Sequence, residues 1–372
     1  MTSTDAATEG GPGPGSGVRP TLEEIDADWL TRVLRASGDL GADAAVVGVE
    51  GVPVGTGQVA DTFRLTLRYD GDGSGPDSIV AKLASQDVTS RATGQMLRIY
   101  EVEVRFYQQV SPLIGMHHPR SLAADVDPST GFFTLLLEDA APAEQGNDLV
   151  GCTPEVAEAC VRELVLLHAP TWGRDDLAAK EWLDRGSPEH RAFLGMYLSS
   201  AWPGFVERYR DRLRPEDLEV GAAAIEGFGA LQDPPGPKSV IHGDYRLDNM
   251  LLRPDDPRPC VVDWQTTTWG PSALDLAYFL GASLAVDVRR THHDHLVRSY
   301  HEALGEQGIE GYALADLERD VALTALSTLF QAVGASMSVV RTDRGDTMFM
   351  SMFERSAALA RDLGTLTAAG AG

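Results

Sequence analysis

Cysteine and lysine are both scarce in this chain of 372 residues, and each shortage limits the kinds of site that the protein can form. The three cysteines, Cys152, Cys160 and Cys260, are an odd number and show no C-x-x-C spacing. That pattern argues against a disulfide framework and a structural zinc site, and it is typical of a reducing compartment. Lysine occurs only at positions 82, 180 and 238, so each one deserves separate inspection.

Positive charge and long apolar runs are also in short supply. Thirty-one lysines and arginines face 55 acidic residues, which gives a formal net charge of -24. Such a chain would repel nucleic acids and anionic membranes, and it could attract a cationic small molecule. We find no apolar run of the roughly 18 residues that a membrane helix needs, and no secretory signal at the N-terminus. We therefore expect a cytoplasmic protein, monomeric or homodimeric, without nucleic-acid or membrane partners.

Apolar patterning divides the sequence into a part rich in strands and a part rich in helices. Alternating or continuous apolar runs predict strands at 44–54, 61–69, 78–84, 121–126 and 131–139. Helical spacing predicts helices at 94–110, 153–172, 191–232 and 289–367. Thr153 is the predicted N-cap of the second helix, because Pro154 suits a first helical position. The predicted fold class is therefore α+β.

The same patterns predict how the chain is organised into parts. Residues 1–20 are rich in Gly, Pro and Ser, a composition typical of a disordered tail. The strand-rich part then predicts an N-terminal lobe at 21–137, followed by a hinge at 138–142. The remaining residues, 143–372, form a predicted helical C-terminal lobe.

One polar loop stands out because it lies between two short apolar strands. In the segment VIHGDYRLDNMLL, Asp244 and Asn249 are five residues apart, and Asp263 ends the next apolar strand, CVVDWQ. Transfer of a phosphoryl group to a hydroxyl requires a carboxylate beside the attacking oxygen. It also requires hard oxygen ligands that hold Mg²⁺ against the nucleotide phosphates. The spacing predicts Asp244 as that carboxylate, with Asn249 and Asp263 as the metal ligands.

The order of these motifs resembles a known group of kinases. The series HGDYRLDN, VVDWQ and DLAYFL is similar to the catalytic and metal-binding loops of the aminoglycoside-phosphotransferase and choline-kinase-like family, including its ecdysteroid-kinase-like members. The resemblance covers roughly residues 50–285. It implies a two-lobed, protein-kinase-like fold with a β-rich N-lobe and a mainly helical C-lobe. It also implies Mg²⁺ as cofactor, with ATP or GTP as phosphoryl donor.

The resemblance implies further nucleotide-binding residues upstream. Lys82 lies within the apolar strand SIVAKLA and is expected to bind the nucleotide phosphates. Its expected partner is Glu103 on the following helix, with Glu101 as the competing candidate. These two glutamates are two residues apart and face different sides of a helix, so only one can point inward. Gly55 and Gly57, in VGTGQVA, are the expected glycines of the phosphate loop.

Other site residues follow from the same resemblance. Backbone groups around Glu138 and Ala140 are expected to bind the purine at the hinge. His242 is interpreted as an orienting residue, and Asp275 as the acid that holds the catalytic loop from the helix below. Arg246 has two open interpretations: a catalytic cation facing the transferring phosphoryl group, or a partner in a surface salt bridge.

The spacing after the metal ligand bears on the substrate. Eleven residues separate Asp263 from Asp275, too few for the long activation segment of a protein kinase. We therefore expect transfer of the γ-phosphoryl group to a hydroxyl of a small molecule. The leading hypothesis is an antibiotic, either an aminoglycoside or a nucleoside- or sugar-bearing natural product, which would make the protein a resistance enzyme. A metabolite kinase acting on an amino alcohol or sugar, and a nucleotide-binding pseudokinase, are the alternatives.

Overall fold

The computed structural model describes residues 17–55, 59–70, 75–184, 187–232 and 234–370. The chain divides into two compact units. Unit 1 comprises Met1–Gln108 and Pro119–Asp139, and unit 2 comprises Gln109–His118 and Ala140–Gly372. Most of the predicted tail, residues 1–16, and the predicted phosphate-loop residue Gly57 lie outside the described residues.

Unit 1 is built on a five-stranded antiparallel sheet. Its strands are β1 (Val46–Pro53), β2 (Ala60–Tyr69), β3 (Ser78–Ala84), β4 (Ser121–Asp127) and β5 (Phe132–Glu138). They are ordered β1-β2-β3-β5-β4, and each neighbouring pair is antiparallel. The five strands predicted from apolar patterning are therefore confirmed. Strand β3 is central, which places Lys82 in the middle of the sheet.

The described residues of unit 1 also form three α-helices: α1 (Ala27–Ala36), α2 (Val88–Met96) and α3 (Ile99–Gln109), of which only the last residue belongs to unit 2. Helix α1 begins at its N-cap Asp26, whose side chain accepts a hydrogen bond from the Trp29 amide, 2.7 Å away. The apolar face of α1 packs in one core with residues of the sheet: Trp29, Leu30, Val33, Leu34, Leu65, Ile79, Leu83 and Leu136. Burial of this face ties the helix to the sheet, because apolar area removed from water is the main favourable term.

The single helix predicted at 94–110 is wrong, because the structure has two helices there. Arg98, between α2 and α3, has a φ of 56°. This left-handed backbone cannot continue a right-handed helix, so the axis breaks at that residue. The sequence gives no glycine or proline at this point that would have signalled the break.

Unit 2 contains two small sheets and most of the helices. Strand β6 (Glu144–Gln145) pairs with β8 (Met250–Arg253), which pairs with β9 (Asp256–Val261), and β7 (Lys238–Ile241) pairs with β10 (Thr268–Pro271). The helices are α4 (Pro154–His168), α5 (Asp175–Ala178), α6 (Pro188–Tyr209), α7 (Pro215–Glu226), α8 (Ala273–Ala282), α9 (Val286–Glu306), α10 (Leu314–Thr324), α11 (Ser327–Ser338), α12 (Asp343–Leu363) and α13 (Thr365–Ala368). Thr153 caps α4 as predicted, since its side chain accepts from the Val156 amide.

Residues 109–118 belong to unit 2, although the sequence prediction included them in the N-terminal lobe. Specific contacts explain the difference. The Gln109 side chain accepts a hydrogen bond from Trp182 Nε1 at 3.2 Å. The His117 carbonyl accepts from the Val261 amide at 2.8 Å, which joins the segment to the end of β9.

One segment of unit 2 is more apolar than the sequence analysis allowed. Leu314–Ser338, 25 residues that include α10 and α11, has a window of mean hydropathy 1.3 and could cross a membrane by length and composition alone. Our expectation that no apolar run has this length was therefore wrong, because residues 321–338 carry no charged side chain and only scattered Ser, Thr and Gln residues divide them. Within the unit, 56% of that window is buried, as is common for core helices.

Candidate active site

The loop between β7 and β8, residues 242–249, is the expected catalytic loop, and one carboxylate of α8 holds it in place. Asp275 is fully buried, and its two oxygens accept hydrogen bonds from the backbone amides of His242 and Gly243, at 2.6 and 2.9 Å. Gly243 has a φ of 80°, and a Cβ there would lie 2.7 Å from the Thr266 carbonyl oxygen, so a glycine is required. The supporting role inferred for Asp275 is confirmed by these contacts.

His242 fixes the direction of the chain as it enters the loop. Its Nδ1 accepts a hydrogen bond from the Asp244 amide at 3.3 Å, and its Nε2 lies 3.1 Å from the Val262 carbonyl oxygen. These partners assign the proton to Nε2, because a carbonyl oxygen can only accept. The ring also packs against Trp264, with centroids 4.7 Å apart. Both ring nitrogens are engaged in holding backbone, as expected of an orienting residue.

Asp244 and Asn249 are in direct contact across the loop. The Asn249 Nδ2 group donates to the Asp244 carboxylate at 2.9 Å and to the Asp244 carbonyl oxygen, also at 2.9 Å. Because the amide nitrogen is used in this way, the amide oxygen of Asn249 is the atom left to act as a ligand. The Asn249 carbonyl accepts from the Val262 amide at 3.0 Å, which joins this loop to the residue before Asp263.

Asp263 follows β9 in an uncommon backbone conformation. Its φ and ψ are 68° and 63°, in the left-handed region, where Asp and Asn are tolerated better than most residues. One carboxylate oxygen accepts a hydrogen bond from Gln265 Nε2 at 3.1 Å. Asp244, Asn249 and Asp263 thus lie on two neighbouring loops of unit 2, as the motif spacing predicted. Their catalytic and metal-binding roles stay predictions.

Arg246 lies inside unit 2 and is not part of a surface salt bridge. Its side chain is 14% exposed, and its Nε donates to the Asp244 carboxylate at 3.0 Å. Its Nη1 donates to Asp148 at 2.9 Å and to Asp248 at 3.3 Å. Burial disfavours the charged guanidinium, but these carboxylates outweigh it, so the pKa of Arg246 lies well above its usual value.

The sequence analysis missed Asp148, which is as closely tied to the loop as the motif residues. It lies between β6 and α4 and is 1% exposed. Burial raises the pKa of its carboxyl group, while Arg246 acts in the opposite direction. No sequence signal could have identified Asp148, because its partner is 98 positions further along the chain.

Tyr278, on α8, was also missed. Its side chain is 1% exposed, and its buried hydroxyl lies near the Asp244 carboxylate. Burial raises the pKa of this hydroxyl well above its usual value, and the negative charge of Asp244 raises it further. A neutral Tyr278 hydroxyl therefore adds no negative charge near the Asp244 carboxylate.

In unit 1, Lys82 is paired with Glu103. Lys82 Nζ lies 2.7 Å from Glu103 Oε2 and 2.9 Å from Oε1, and the two side chains are 14% and 3% exposed. Glu101 faces elsewhere and pairs with Arg98 Nε at 3.0 Å. The structure therefore selects Glu103 as the partner of Lys82. The expected binding of nucleotide phosphates by Lys82 stays a prediction.

The geometry assigns no nucleotide-binding role to the remaining residues that were predicted to have one. Gly55 has a φ of 77°, as a tight turn after β1 requires. The Glu138 amide donates to the Arg120 carbonyl at 3.0 Å, so that donor is used within unit 1. The Ala140 carbonyl accepts from the Ala143 amide at 3.0 Å in a turn of unit 2. Purine binding by Glu138 and Ala140 stays a prediction.

Known structures resemble the chain over most of its length. A protein assigned as an aminoglycoside phosphotransferase from Ralstonia eutropha JMP134 is 16% identical, with 91% of this chain and 99% of that one covered, at a TM-score of 0.53. Choline kinase from Cryptosporidium parvum Iowa II is 10% identical, with 90% and 97% covered, at 0.54. At such identities the likeness shows the fold alone. The predicted kinase-like fold, β-rich and then mainly helical, is confirmed.

Curated relatives match only short segments. Acyl-CoA dehydrogenase family member 11 from Homo sapiens is 42% identical over 50 residues, which are 13% of this chain and 6% of that protein. A probable acyl-CoA dehydrogenase from Arabidopsis thaliana is 28% identical over 109 residues, 29% of this chain and 12% of that protein. The chain thus spans a small part of the length of these relatives.

A family model covers much more of the sequence. The model described as the phosphotransferase enzyme family matches residues 53–316, which include Lys82, Glu103, the catalytic loop and Asp263. The match extends over more than half of the chain and over both units. The chain therefore belongs to the phosphotransferase enzyme family, as the resemblance of its motifs implied.

Proposed function

We propose that this protein moves the γ-phosphoryl group of ATP to a hydroxyl group of a small molecule. The observation that carries the proposal is the double restraint on Asp244. Asn249 Nδ2 binds one oxygen of its carboxylate, and Arg246 Nε binds the other, at 2.9 and 3.0 Å. A carboxylate restrained on both sides keeps one orientation, and fixed orientation of reacting groups supplies much of the catalysis of phosphoryl transfer.

In the proposed reaction, Asp244 accepts a hydrogen bond from the acceptor hydroxyl and so directs its oxygen at the γ-phosphorus. The new O–P bond forms as the bond between the γ-phosphorus and its bridging oxygen breaks. The hydroxyl proton passes to Asp244 late in this process, because the loose transition state develops little charge on the attacking oxygen until the bond forms. The products are the phosphate ester and ADP.

The proposed metal ligands fit Mg²⁺ by their chemistry. The amide oxygen of Asn249 and the carboxylate of Asp263 are hard oxygen donors, and Mg²⁺ is commonly held by one or two such groups together with phosphates and water. Among the described residues, no group of three or more His, Cys, Asp and Glu side chains could hold a metal alone, which agrees with a site completed by the nucleotide. When bound, Mg²⁺ would neutralise charge on the phosphate oxygens.

Lys82 is the proposed partner of the α- and β-phosphates. Its ammonium group is held by Glu103, and the pair is almost fully buried. A lysine in the middle of a sheet would be costly to bury without a partner, so the pair has a fixed place and direction. We propose ATP as donor and keep GTP as the alternative. The two are to be compared directly, because backbone contacts at the hinge would decide between them.

The acceptor is the least determined part of the proposal. Two acids of the region expected to bind the acceptor are paired within unit 2: Glu207 with Arg210, and Asp346 with Arg341 at 2.7 Å and with Tyr209 at 2.8 Å. We propose an antibiotic as acceptor, either an aminoglycoside or a nucleoside- or sugar-bearing natural product, with an amino alcohol or sugar metabolite as the alternative. The free cysteines fit a cytoplasmic enzyme.

A substrate panel tests the activity and the acceptor together. The protein is incubated with Mg-ATP or Mg-GTP and with nucleoside antibiotics, aminoglycosides, amino alcohols or sugars, and mass spectrometry detects gain of one HPO₃ unit. We expect gain of HPO₃ on a hydroxyl of at least one compound. Tight nucleotide binding with neither transfer nor hydrolysis would instead favour a nucleotide-binding pseudokinase, whereas release of phosphate to water would show an active enzyme whose acceptor is missing from the panel.

Substitution of Asp244 tests the proposed mechanism. In Asp244→Ala we expect turnover to fall by at least about 10²-fold, since general-base catalysis is lost, while ATP affinity changes little. Asp255→Ala is the matched control, because Asp255 is an exposed acid of the turn after β8. Steady-state kinetics and calorimetric titration with ATP give the two quantities. Unchanged turnover in Asp244→Ala would contradict the mechanism.

A further inference from the structure

Asp148 is a buried carboxylate that the proposed reaction does not use directly. Its Oδ2 accepts from Arg246 Nη1 at 2.9 Å. Its Oδ1 accepts from the Leu247 amide at 3.0 Å and from the Ser283 hydroxyl at 2.9 Å. Two of these three donors belong to the catalytic loop, although Asp148 lies outside it.

The backbone of Asp148 is held equally firmly. Its amide donates to the Asp248 carboxylate at 3.0 Å, and its carbonyl accepts from Arg355 Nη1 at 2.7 Å. Arg355 also donates to the Ala282 carbonyl at 2.6 Å, so α12 and α8 both restrain this point. A carboxylate fixed in this way can act as a rigid support for the group it binds.

Arg246 connects this support to Asp244. The Nη1 group of its guanidinium donates to Asp148 and Asp248, and its Nε donates to Asp244 Oδ1. An arginine side chain is long and flexible. Its planar guanidinium group therefore points in one direction only when its other hydrogen bonds hold it. The direction of the Arg246 Nε–H bond toward Asp244 therefore depends on the carboxylate at its other end.

We propose that Asp148 is a positioning residue, which orients the proposed base Asp244 through Arg246. This inference rests on the proposed function. Without the Asp148 charge, Arg246 Nη1 keeps only Asp248 as a carboxylate partner and moves toward it, so the Nε–H bond no longer points at Asp244 and the Asp244 carboxylate turns from its present orientation. Small displacements of a reacting group can lower turnover by as much as about 10²-fold. Asp148 touches neither substrate nor metal in this scheme.

The test compares two buried aspartates that each bind arginine. In Asp148→Asn the side chain keeps its size and loses its charge. Asp217→Asn is the matched control, because Asp217 on α7 is fully buried and accepts from Arg214 Nε and Arg361 Nη1, each at 2.6 Å. Crystal structures of both variants show the Arg246 and Asp244 side chains. We expect the Arg246 Nε to Asp244 hydrogen bond to be lost in Asp148→Asn and retained in Asp217→Asn.

Kinetics with an acceptor from the panel give the second readout. We expect kcat to fall about tenfold or more in Asp148→Asn, with the KM for ATP within about twofold of the parent, whereas Asp217→Asn keeps the parent kcat. Arg246→Lys should lower kcat similarly, and the double variant should be no slower than the slower single variant.

If Asp148→Asn does not fold, Arg246→Lys alone decides: an unchanged kcat overturns the proposal. A retained hydrogen bond, or multiplicative losses in the double variant, also overturns it. Failure of the proposed function is recognised separately, by full activity of Asp244→Ala.

Discussion

At the scale of single residues, the pair formed by Lys82 and Glu103 is the clearest feature of unit 1. Both side chains are nearly buried, and the ammonium lies within 2.9 Å of each carboxylate oxygen. The sequence favoured Glu103 as the partner of Lys82 and left Glu101 as a competitor, because both lie in the first two turns of α3. Their positions on opposite sides of that helix decided between them. Glu103 packs inward, and Glu101 remains near Arg98.

This pair gives a direct prediction about nucleotide binding. In Glu103→Ala, Lys82 loses its partner and its fixed direction, so we expect affinity for Mg-ATP to fall about tenfold or more, equivalent to about 1.4 kcal/mol. Glu101→Ala is the control, since that acid faces another side of the helix and should leave affinity within about twofold. Isothermal titration with ATP measures both. Equal effects of the two substitutions would show that the inward pair plays no part in binding.

The residues that sequence could not supply are those defined by distant partners. Asp244, Asn249 and Asp263 were found because their spacing along the chain is itself the signal. Asp148 has no such signal, since a lone aspartate in a loop is ordinary until folding brings Arg246 to it. The role of Arg246 was undecided for the same reason. Its three carboxylate partners, which only the fold reveals, identify it as an internal bridge.

At the scale of elements, the catalytic loop depends on helix α8. The Asp275 carboxylate accepts two backbone amides of the loop and lies 3.3 Å from His168 Nε2. The His168 ring is itself fully buried, and its other nitrogen lies 2.7 Å from the Tyr300 hydroxyl of α9. The loop is therefore supported by a chain of contacts that reaches three helices: α4, α8 and α9.

Removal of the Asp275 carboxylate should lower the stability of the fold. In Asp275→Ala, the amides of His242 and Gly243 lose a buried acceptor, and we expect the free energy of unfolding to fall by about 3–5 kcal/mol. The control is Asp316→Ala, an exposed acid that pairs with Arg319 on α10 and should change stability by less than about 1 kcal/mol. Urea denaturation measures both, and hydrogen exchange of residues 240–247 should accelerate only in Asp275→Ala. A loss no greater than that of the control would contradict the assignment.

Elements were predictable where one physical signal dominated. The five strands of unit 1 followed from apolar alternation, and the start of α4 followed from Thr153 and Pro154. The break between α2 and α3 did not, because Arg98 adopts a left-handed backbone that nothing in its side chain requires. The apolar length of Leu314–Ser338 was underestimated because uncharged polar residues were counted as interruptions.

At the scale of the whole molecule, the excess of negative charge should lower the stability of the fold. A formal charge of -24 causes self-repulsion in the folded state, and dissolved salt screens it over about 10 Å at 0.1 M. We therefore expect the thermal midpoint to rise between 0.02 and 0.3 M NaCl by about a few degrees, as followed by circular dichroism. Near pH 5, close to the isoelectric point of about 4.6, the same salt should have a smaller effect. A midpoint that falls with salt at pH 7.5 would contradict this expectation.

The division into two units was only partly predictable. The apolar pattern changes from strand-like to mainly helical near the end of β5, and this change set the predicted boundary at 137. The segment 109–118 escaped notice because its attachment to unit 2 is made by individual hydrogen bonds, such as those that join Gln109 to Trp182, Gly115 to Leu166 and His117 to Val261, and none of these carries a sequence pattern.

That attachment has a practical consequence for anyone who dissects this protein. The polypeptide passes from one unit to the other three times, near residues 108, 118 and 139, so no single cleavage liberates an intact half. A gene fragment that stops after β5 would carry ten foreign residues, and a fragment that starts at Ala140 would lack them. A minimal gene for either half must therefore be spliced or circularly rearranged to restore the missing piece.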